Sequence, residues 1–297
     1  MNPPPVVLFA FARPAHLART LAALRANHVP RVLAFADGAR GAADAAAVAE
    51  TRALLRAVDW CDMQLTERPV NLGLGRNVVA GISEVAARHD AFIVWEDDLV
   101  AVPGAYAWLS SALARYADDP RVLSVTAWTH PRVTPAGLGG APYFDGRAEC
   151  WGWGTWARSW RGVAGTNAVE RMEAAAARGV APDAYGSDLP AMARVEARKN
   201  IWAVRWLYHH LAAGGLCLRP PRSLVEHIGF DAGATHAAGA DEWRNPPLDV
   251  APPPPAVWPE LVEHPDCRRL WAAAYPPRPW WARLARRVAG ALRRGDA

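Results

Sequence analysis

The sequence predicts an α/β protein with a mostly parallel sheet flanked by helices, and three observations carry that expectation. Short apolar runs at Val6 to Phe11, Val32 to Ala36 and Phe92 to Trp95 have the length and composition of strands buried on both faces. Each is followed by a turn and then by apolar residues at helical spacing, the alternation that right-handed crossovers require. The run Phe92-Ile93-Val94-Trp95 ends in Glu96-Asp97-Asp98 without a spacer. A core strand thus delivers three carboxylates to the sheet edge where open α/β sheets bind ligands. Their mutual repulsion suits a hard cation or a donor-rich ligand, with a solvated acidic turn as the plain alternative.

Taken in order, the first run ends at Arg13-Pro14, and Leu17, Leu21 and Leu24 then mark a helix. Arg13 at that turn either faces a base or phosphate or is simply exposed. The second run exits at Asp37-Gly38, where Asp37 either accepts from a nucleoside or caps the next helix through Val48, Leu55 and Val58. Cys61, Met63 and Leu65 alternate with polar residues as in a strand with one wetter face. Asn71-Leu72-Gly73-Leu74-Gly75-Arg76-Asn77 then opens a helix carrying Val78, Ile82 and Val85. Free N–H groups at such a turn, with Arg76 beside them, would suit an anion, although neither a dinucleotide fingerprint nor a GxxxxGK[ST] loop is present. Tyr106, Leu109, Leu113 and Tyr116 mark another helix, and Val122 to Ala127 another strand.

The character changes at Cys150-Trp151-Gly152-Trp153-Gly154-Thr155-Trp156. Tryptophans separated by glycine either cover the sheet or wall a concave site, and indole beside carboxylates suits the C–H faces and hydroxyls of a sugar. Asn167 with Glu170 forms a capping box for a helix through Ala177, and one long helix is expected from about Leu189 to Ala213, ending at Gly214-Gly215. Leu216 to Leu218 reads as a short strand. Residues 223–236 lead through His227 into a glycine- and alanine-rich loop, read as a lid ending at His236; His227 and His236 either reach a metal or phosphate or, as is commoner for lone histidines, are structural. Asn245 to Pro259 is proline-rich and reads as an extended strap. Trp281, Leu284, Val288 and Leu292 share a helical side ringed by arginine, which suits either an anionic membrane surface or docking on the protein itself.

At 297 residues, 52% hydrophobic and 21% charged, the chain can bury a large core and is not disordered. A net charge of +4, almost wholly from arginine because Lys199 is the sole lysine, does not imply nucleic acid. Cys61, Cys150, Cys217 and Cys267 form no CxxC pair, which argues against a zinc knuckle or redox dithiol. With no basic-then-apolar leader and no apolar run of about 18 residues, the expectation is a cytoplasmic protein, with the tail offering a peripheral hold on the inner face of a membrane.

Residues 6–17, the turn 71–77, Glu96-Asp97-Asp98-Leu99, the Trp151 to Trp156 cluster and the stretch 223–236 occur in an order that resembles bacterial GT-A-fold glycosyltransferases similar to N-acetylglucosaminyltransferase I and to family 2-like sugar transferases. The resemblance implies a metal-dependent inverting transferase, moving a sugar from a nucleotide-sugar donor, most often a UDP-sugar, to a glycan or lipid-linked acceptor. It implies Mn²⁺ or Mg²⁺ on Asp98, with Asp97 toward ribose or sugar and Glu96 toward the donor sugar. Asp37 would read the base, Arg13 and Arg76 would place the nucleotide, Trp151 and Trp153 would shape the sugar pocket, and His236 would close over the donor. Where relatives often carry an acidic residue before paired tryptophans, this chain has Asn200; Asp231, Asp188, Glu149 or Glu226 would then supply the general base. The implied organisation is a catalytic domain over 1–244, with a nucleotide-binding half to about 130 and an acceptor and lid half to 244. The strap over 245–278 and the amphipathic tail over 279–297 follow. A sugar nucleotidyltransferase and a non-catalytic nucleotide- or sugar-binding protein remain as alternatives.

Overall fold

The computed structural model describes residues 3–230 and 241–277. Asp231, His236 and the basic stretch from 279 onward, expected above to serve as base, lid and membrane contact, lie outside the described residues. The predicted alternation appears as β1 (Val6–Ala10), α1 (Pro14–Ala26), β2 (Arg31–Ala36), α2 (Ala42–Arg56), β3 (Asp62–Glu67), α3 (Leu74–Ala86) and β4 (Ala91–Glu96). Next come β5 (Leu99–Ala101), α4 (Ala105–Arg115), β6 (Val122–Thr126), β7 (Tyr143–Asp145), β8 (Trp153–Trp156) and α5 (Ala157–Trp160). The remaining elements are α6 (Ala168–Ala177), α7 (Leu189–Lys199), α8 (Ala203–Ala213), β9 (Leu216–Arg219), β10 (Val225–His227), a 3-10 turn (Asp241–Trp243) and α9 (Cys267–Ala274).

One sheet takes the order β3-β2-β1-β4-β8-β6-β9-β7. β1 runs parallel to β2 and β4, β2 to β3 and β6 to β9, while β8 opposes β4 and β6, and β7 opposes β9. Both faces are covered, as the apolar runs require. Val6, Leu8, Ile93 and Trp95 point to the side of α1 and α4, and Val7, Phe9, Phe92 and Val94 to the side of α3. The first strand-to-helix turn and the end of β4 meet at the same edge, where the chain order leaves β1 for β2 on one side and β4 on the other. That crevice is where an α/β sheet of this kind takes a ligand.

Two expectations are revised. The single helix over 189–213 is broken at Asn200, which sits in the left-handed region at φ 50. Its polar groups are drawn onto another element, as described below. Within the stretch read as a strap, residues 245–259 have no regular structure, but Cys267–Ala274 is a helix that buries Trp271. Trp258 also packs against Trp108 and Tyr116, so the strap lies on α4.

Candidate functional site

Asp98 stands between β4 and β5. Its Oδ2 pairs with Arg13 Nη1 at 2.7 Å, and His227 Nε2 is 3.7 Å away. His227 arrives because β10 pairs antiparallel with β5, placing His227 opposite Leu99 and Ile228 N on the Asp98 carbonyl. Gly229 lets this strand approach: a Cβ there would lie 2.1 Å from Asp98 Oδ2. Asp98 Oδ1 is buried and, among the described residues, has no hydrogen-bond donor. An orphaned carboxylate oxygen is costly unless a partner arrives with a ligand.

The neighbouring carboxyls are tuned by the same packing. Asp97 Oδ2 accepts from Phe11 N at 2.7 Å, yet burial, reinforced by Asp98, pushes its pKa up to about 8. Burial, then Asp98 and Asp97, pushes Glu96 well above the usual carboxylate range. In both, burial favours the neutral form over what an exposed carboxyl would show. Burial also lowers the His227 pKa against the pull of Asp98. Its Nδ1 accepts from Gly229 N, which leaves the Nε2–H of the neutral ring toward Asp98.

The single free oxygen on Asp98 fits a hard divalent cation that takes one protein ligand and fills its other positions with phosphate oxygens and water. Another group of potential ligands, Asp145, Glu263 and Cys267, converges within 4.8 Å but does not fit. Asp145 Oδ2 pairs at 2.8 Å with the fully buried Arg219 and accepts from Trp271 Nε1 at 2.8 Å, and Glu263 Oε1 accepts from Tyr185. The guanidinium already supplies the charge a metal would bring.

The glycine turn is occupied by the protein itself. Asp37, buried at the end of β2, accepts from Gly38 N and Leu72 N on Oδ1, and from Gly73 N and Asn71 Nδ2 on Oδ2. It anchors the turn and has four donors before any nucleoside arrives. Asn200 covers the start of α3: its carbonyl accepts from Gly75 N at 2.9 Å, Oδ1 accepts from Arg76 N at 2.9 Å, and Nδ2 donates to Leu72 O at 2.9 Å. The expected anion-binding N–H groups at Gly73, Gly75 and Arg76 are thus already paired. Exposed Arg76 bonds back to Leu72 O. Gly73 and Gly75 are required by Asn200, because a Cβ would come within 2.2 Å of its Nδ2 and 2.5 Å of its carbonyl oxygen, respectively.

The tryptophans divide by position. Trp153 points into the core with Trp160, Trp202 and Trp206 and is fully buried, so it does not line a site; Trp156, on the opposite strand face, packs with the other core cluster. Trp151, just before β8, is half-buried with its ring 4.5 Å from that of His227, which connects it to Asp98. Trp151 also walls a cavity of about 140 Å³ together with Trp128, Trp243, Trp271, Tyr275 and Glu149. Glu149 Oε1 accepts from Cys150 N, and Oε2 faces Arg219 at 3.5 Å. Asp188 directly precedes Leu189, a residue of the cavity wall, and its buried Oδ1 has no hydrogen-bond donor among the described residues. Glu226 stays apart, opposite Val100 in the β5–β10 ribbon.

Sequence reasoning missed His227 as a neighbour of Asp98, Asn200 as a cap, and Trp243, Trp271 and Tyr275 as cavity wall. The signals were present as residue types, but their partners lie far along the chain.

No protein-family model and no curated protein matches the chain. Solved structures similar to it include the mannosyltransferase PcManGT from Pyrobaculum calidifontis in complex with GDP-Man and Mn²⁺, at 15% identity and TM-score 0.42, covering 98% of this chain and 81% of that one. A UDP-glucose pyrophosphorylase complexed with UDP-glucose follows, at 11% identity and TM-score 0.40, covering 80% and 98%. A UTP-bound UGPase from Acinetobacter baumannii stands at 10% identity and TM-score 0.38, covering 79% and 91%. At these TM-scores none of the likenesses bears on what this chain binds or does.

Proposed function

We propose that the protein transfers a sugar from a nucleoside-diphosphate sugar, most simply a UDP-sugar, to a hydroxyl acceptor, assisted by Mn²⁺ or Mg²⁺ at Asp98. The observation that carries this is the unpartnered Asp98 Oδ1 in the crevice between β1 and β4, joined through His227 and Trp151 to a carboxylate-bearing aromatic cavity. A bound cation would neutralise charge developing on the leaving diphosphate. Arg13, held on the other oxygen of Asp98, adds a fixed positive charge on the same side.

Glu96 and Asp97, adjoining Asp98 in the chain, would hydrogen-bond sugar or ribose hydroxyls. Glu149, which lines the cavity, is the preferred base, with Asp188, next to Leu189 in the chain, as the other candidate. It would take the acceptor hydroxyl proton while that oxygen bonds to the anomeric carbon and the carbon–phosphate-oxygen bond breaks on the opposite face, inverting the centre. Asn200 is a cap and not a failed base, because its amide nitrogen donates to Leu72 O. The alternative, a sugar nucleotidyltransferase, calls for a glycine-rich, basic triphosphate loop directly after β1, where this chain has Ala12-Arg13-Pro14-Ala15.

The test is a thermal shift with UDP, with and without Mn²⁺, on the wild type and on Asp98→Asn. Ligand at 100 times its dissociation constant stabilises by about 2.7 kcal/mol. A metal-dependent shift lost in the variant is expected. Equal shifts in both proteins, or none with any nucleoside diphosphate, would remove Asp98 from the donor site.

A further inference from the structure

The turn between β1 and α1 places two groups on the carboxylates that end β4. Phe11 N donates to Asp97 Oδ2 and Arg13 Nη1 to Asp98 Oδ2, each at 2.7 Å. Ala12 between them takes the left-handed region at φ 49, which alanine ordinarily avoids, and Pro14 opens α1 directly after Arg13. Such a conformation persists where its surroundings over-determine it. Here the two bonds to Asp97 and Asp98 hold it, and the bent turn brings Arg13 onto Asp98.

The Arg13–Asp98 pair is end-on. It uses Oδ2, while Oδ1 stays buried without a donor among the described residues. A pair that served the fold alone would turn both oxygens to the guanidinium fork. His227 Nε2, 3.7 Å from the same Oδ2, and the Gly229 backbone enclose it: a Cβ on Gly229 would lie 2.1 Å from Oδ2 and 2.9 Å from Arg13 Nη1. With the two side chains only 18% and 12% exposed, little water screens the guanidinium from whatever meets Oδ1.

That fixed charge has opposite effects on the two halves of a metal–nucleotide complex. A free divalent cation is repelled and finds a carboxylate whose charge is already matched. A diphosphate is attracted by the charge and by the planar N–H donors. A unit charge within about 4–6 Å shifts the proton affinity of a carboxylate by about one to three pKa units, so each effect on a ligand at Asp98 is about tenfold or more.

Resting on the transferase reading, we propose that Arg13 makes metal binding conditional on the nucleotide: it holds a free divalent cation off Asp98 and admits one only together with a diphosphate, whose negative charge offsets both. This is a role in selecting the ligated form of the metal, separate from placing the nucleotide.

The experiment uses the full chain as wild type, Arg13→Gln, Arg13→Lys and the double variant Arg13→Gln with Asp98→Asn. Mn²⁺ binding is read from the electron paramagnetic resonance of the free ion, without nucleotide and with saturating UDP. UDP binding without metal is read by calorimetry in a chelator. Wild type should take up Mn²⁺ tightly only with UDP. Arg13→Gln should bind Mn²⁺ alone about tenfold more tightly than wild type, and UDP alone about tenfold more weakly. The gain in Mn²⁺ binding should vanish in the double variant, and Arg13→Lys, which keeps the charge, should stay near wild type in both. If Arg13→Gln weakens Mn²⁺ and UDP binding together, Arg13 is a structural buttress and the proposal is overturned. Wild type that binds Mn²⁺ as tightly without UDP as with it overturns the proposal without recourse to any variant, and leaves the donor site standing. Wild type that takes up no Mn²⁺ with any nucleoside diphosphate overturns the transferase reading itself.

Discussion

Replacing Asn200 tests how the two halves of the molecule are joined. Its side chain contributes two hydrogen bonds to the glycine turn, one to Arg76 N and one to Leu72 O, each 2.9 Å long. At about 1 kcal/mol net for each, their loss costs about 2 kcal/mol. Alanine at φ 50 adds about 1 kcal/mol, because asparagine tolerates the left-handed region better. Asn200→Ala should therefore lose about 3 kcal/mol, equivalent to roughly 6–12 °C in Tm for a chain of this size. Asn200→Gly escapes the strain and should lose about 2 kcal/mol. Asn200→Asp keeps the acceptor for Arg76 N but turns an oxygen toward Leu72 O, so about 1 kcal/mol is lost after the favourable placement of a carboxylate at the start of α3. Urea unfolding should rank them wild type, Asp, Gly, Ala.

A double-mutant cycle sharpens the test. The Cβ of Gly73→Ala would meet Asn200 Nδ2, so part of its cost should vanish in the Asn200→Ala background. The Cβ of Gly75→Ala would meet the Asn200 carbonyl, which every residue carries, so its cost should persist. An aspartate variant as stable as or more stable than wild type, or equal coupling at both glycines, would refute the capping account.

Four further outcomes follow from the same geometry. Gly229→Ala should push the Asp98 carboxylate aside and weaken the Mn²⁺-dependent UDP shift at least tenfold in apparent affinity, checked by titration. Trp153→Ala should destabilise the fold by about 3–5 kcal/mol in urea. Trp151→Ala, which removes a half-buried ring packed on Trp128 and His227, should destabilise less than Trp153→Ala but lose transfer in an activity assay. Burial lowers the His209 pKa to about 4 and holds His210 well below its ordinary value, so the unfolded chain takes up their protons first. Their contribution to stability, present above pH 6.5, is lost as pH falls toward 4, at up to about 1.4 kcal/mol per pH unit for each histidine. Glu96 and Asp97, with raised pKa values, have the opposite linkage: the fold loses stability as pH rises from about 4 through 8. The histidine effect is therefore read as a difference, by urea unfolding of His210→Leu and wild type between pH 7.5 and 4.5. The variant should gain on the wild type as pH falls, and parallel profiles would refute it.

The sheet was legible from local pattern. The runs at β1, β2 and β4, the helical spacing of Leu17, Leu21 and Leu24, and the Asn167–Glu170 capping box all appear where expected, since each reflects interactions among residues a few positions apart. The site was legible in part. Glu96-Asp97-Asp98 stands at the end of a buried strand, but the fates of Trp151 and Trp153 depended on where β8 began, a shift of two residues that no composition reports.

The strand–helix alternation and the delivery of three carboxylates to the sheet edge follow from local order, because side-chain periodicity and chain connectivity are local properties. Which polar groups are already paired depends on how distant segments pack. Asn200 caps a turn more than 120 positions away, and His227 reaches Asp98 across the β5–β10 ribbon. Asp37 is consumed by the Asn71–Gly73 turn, and α9 closes a cavity opened by β6 and β8. A buried donor or acceptor takes the nearest partner that packing presents, and packing is a property of the whole chain.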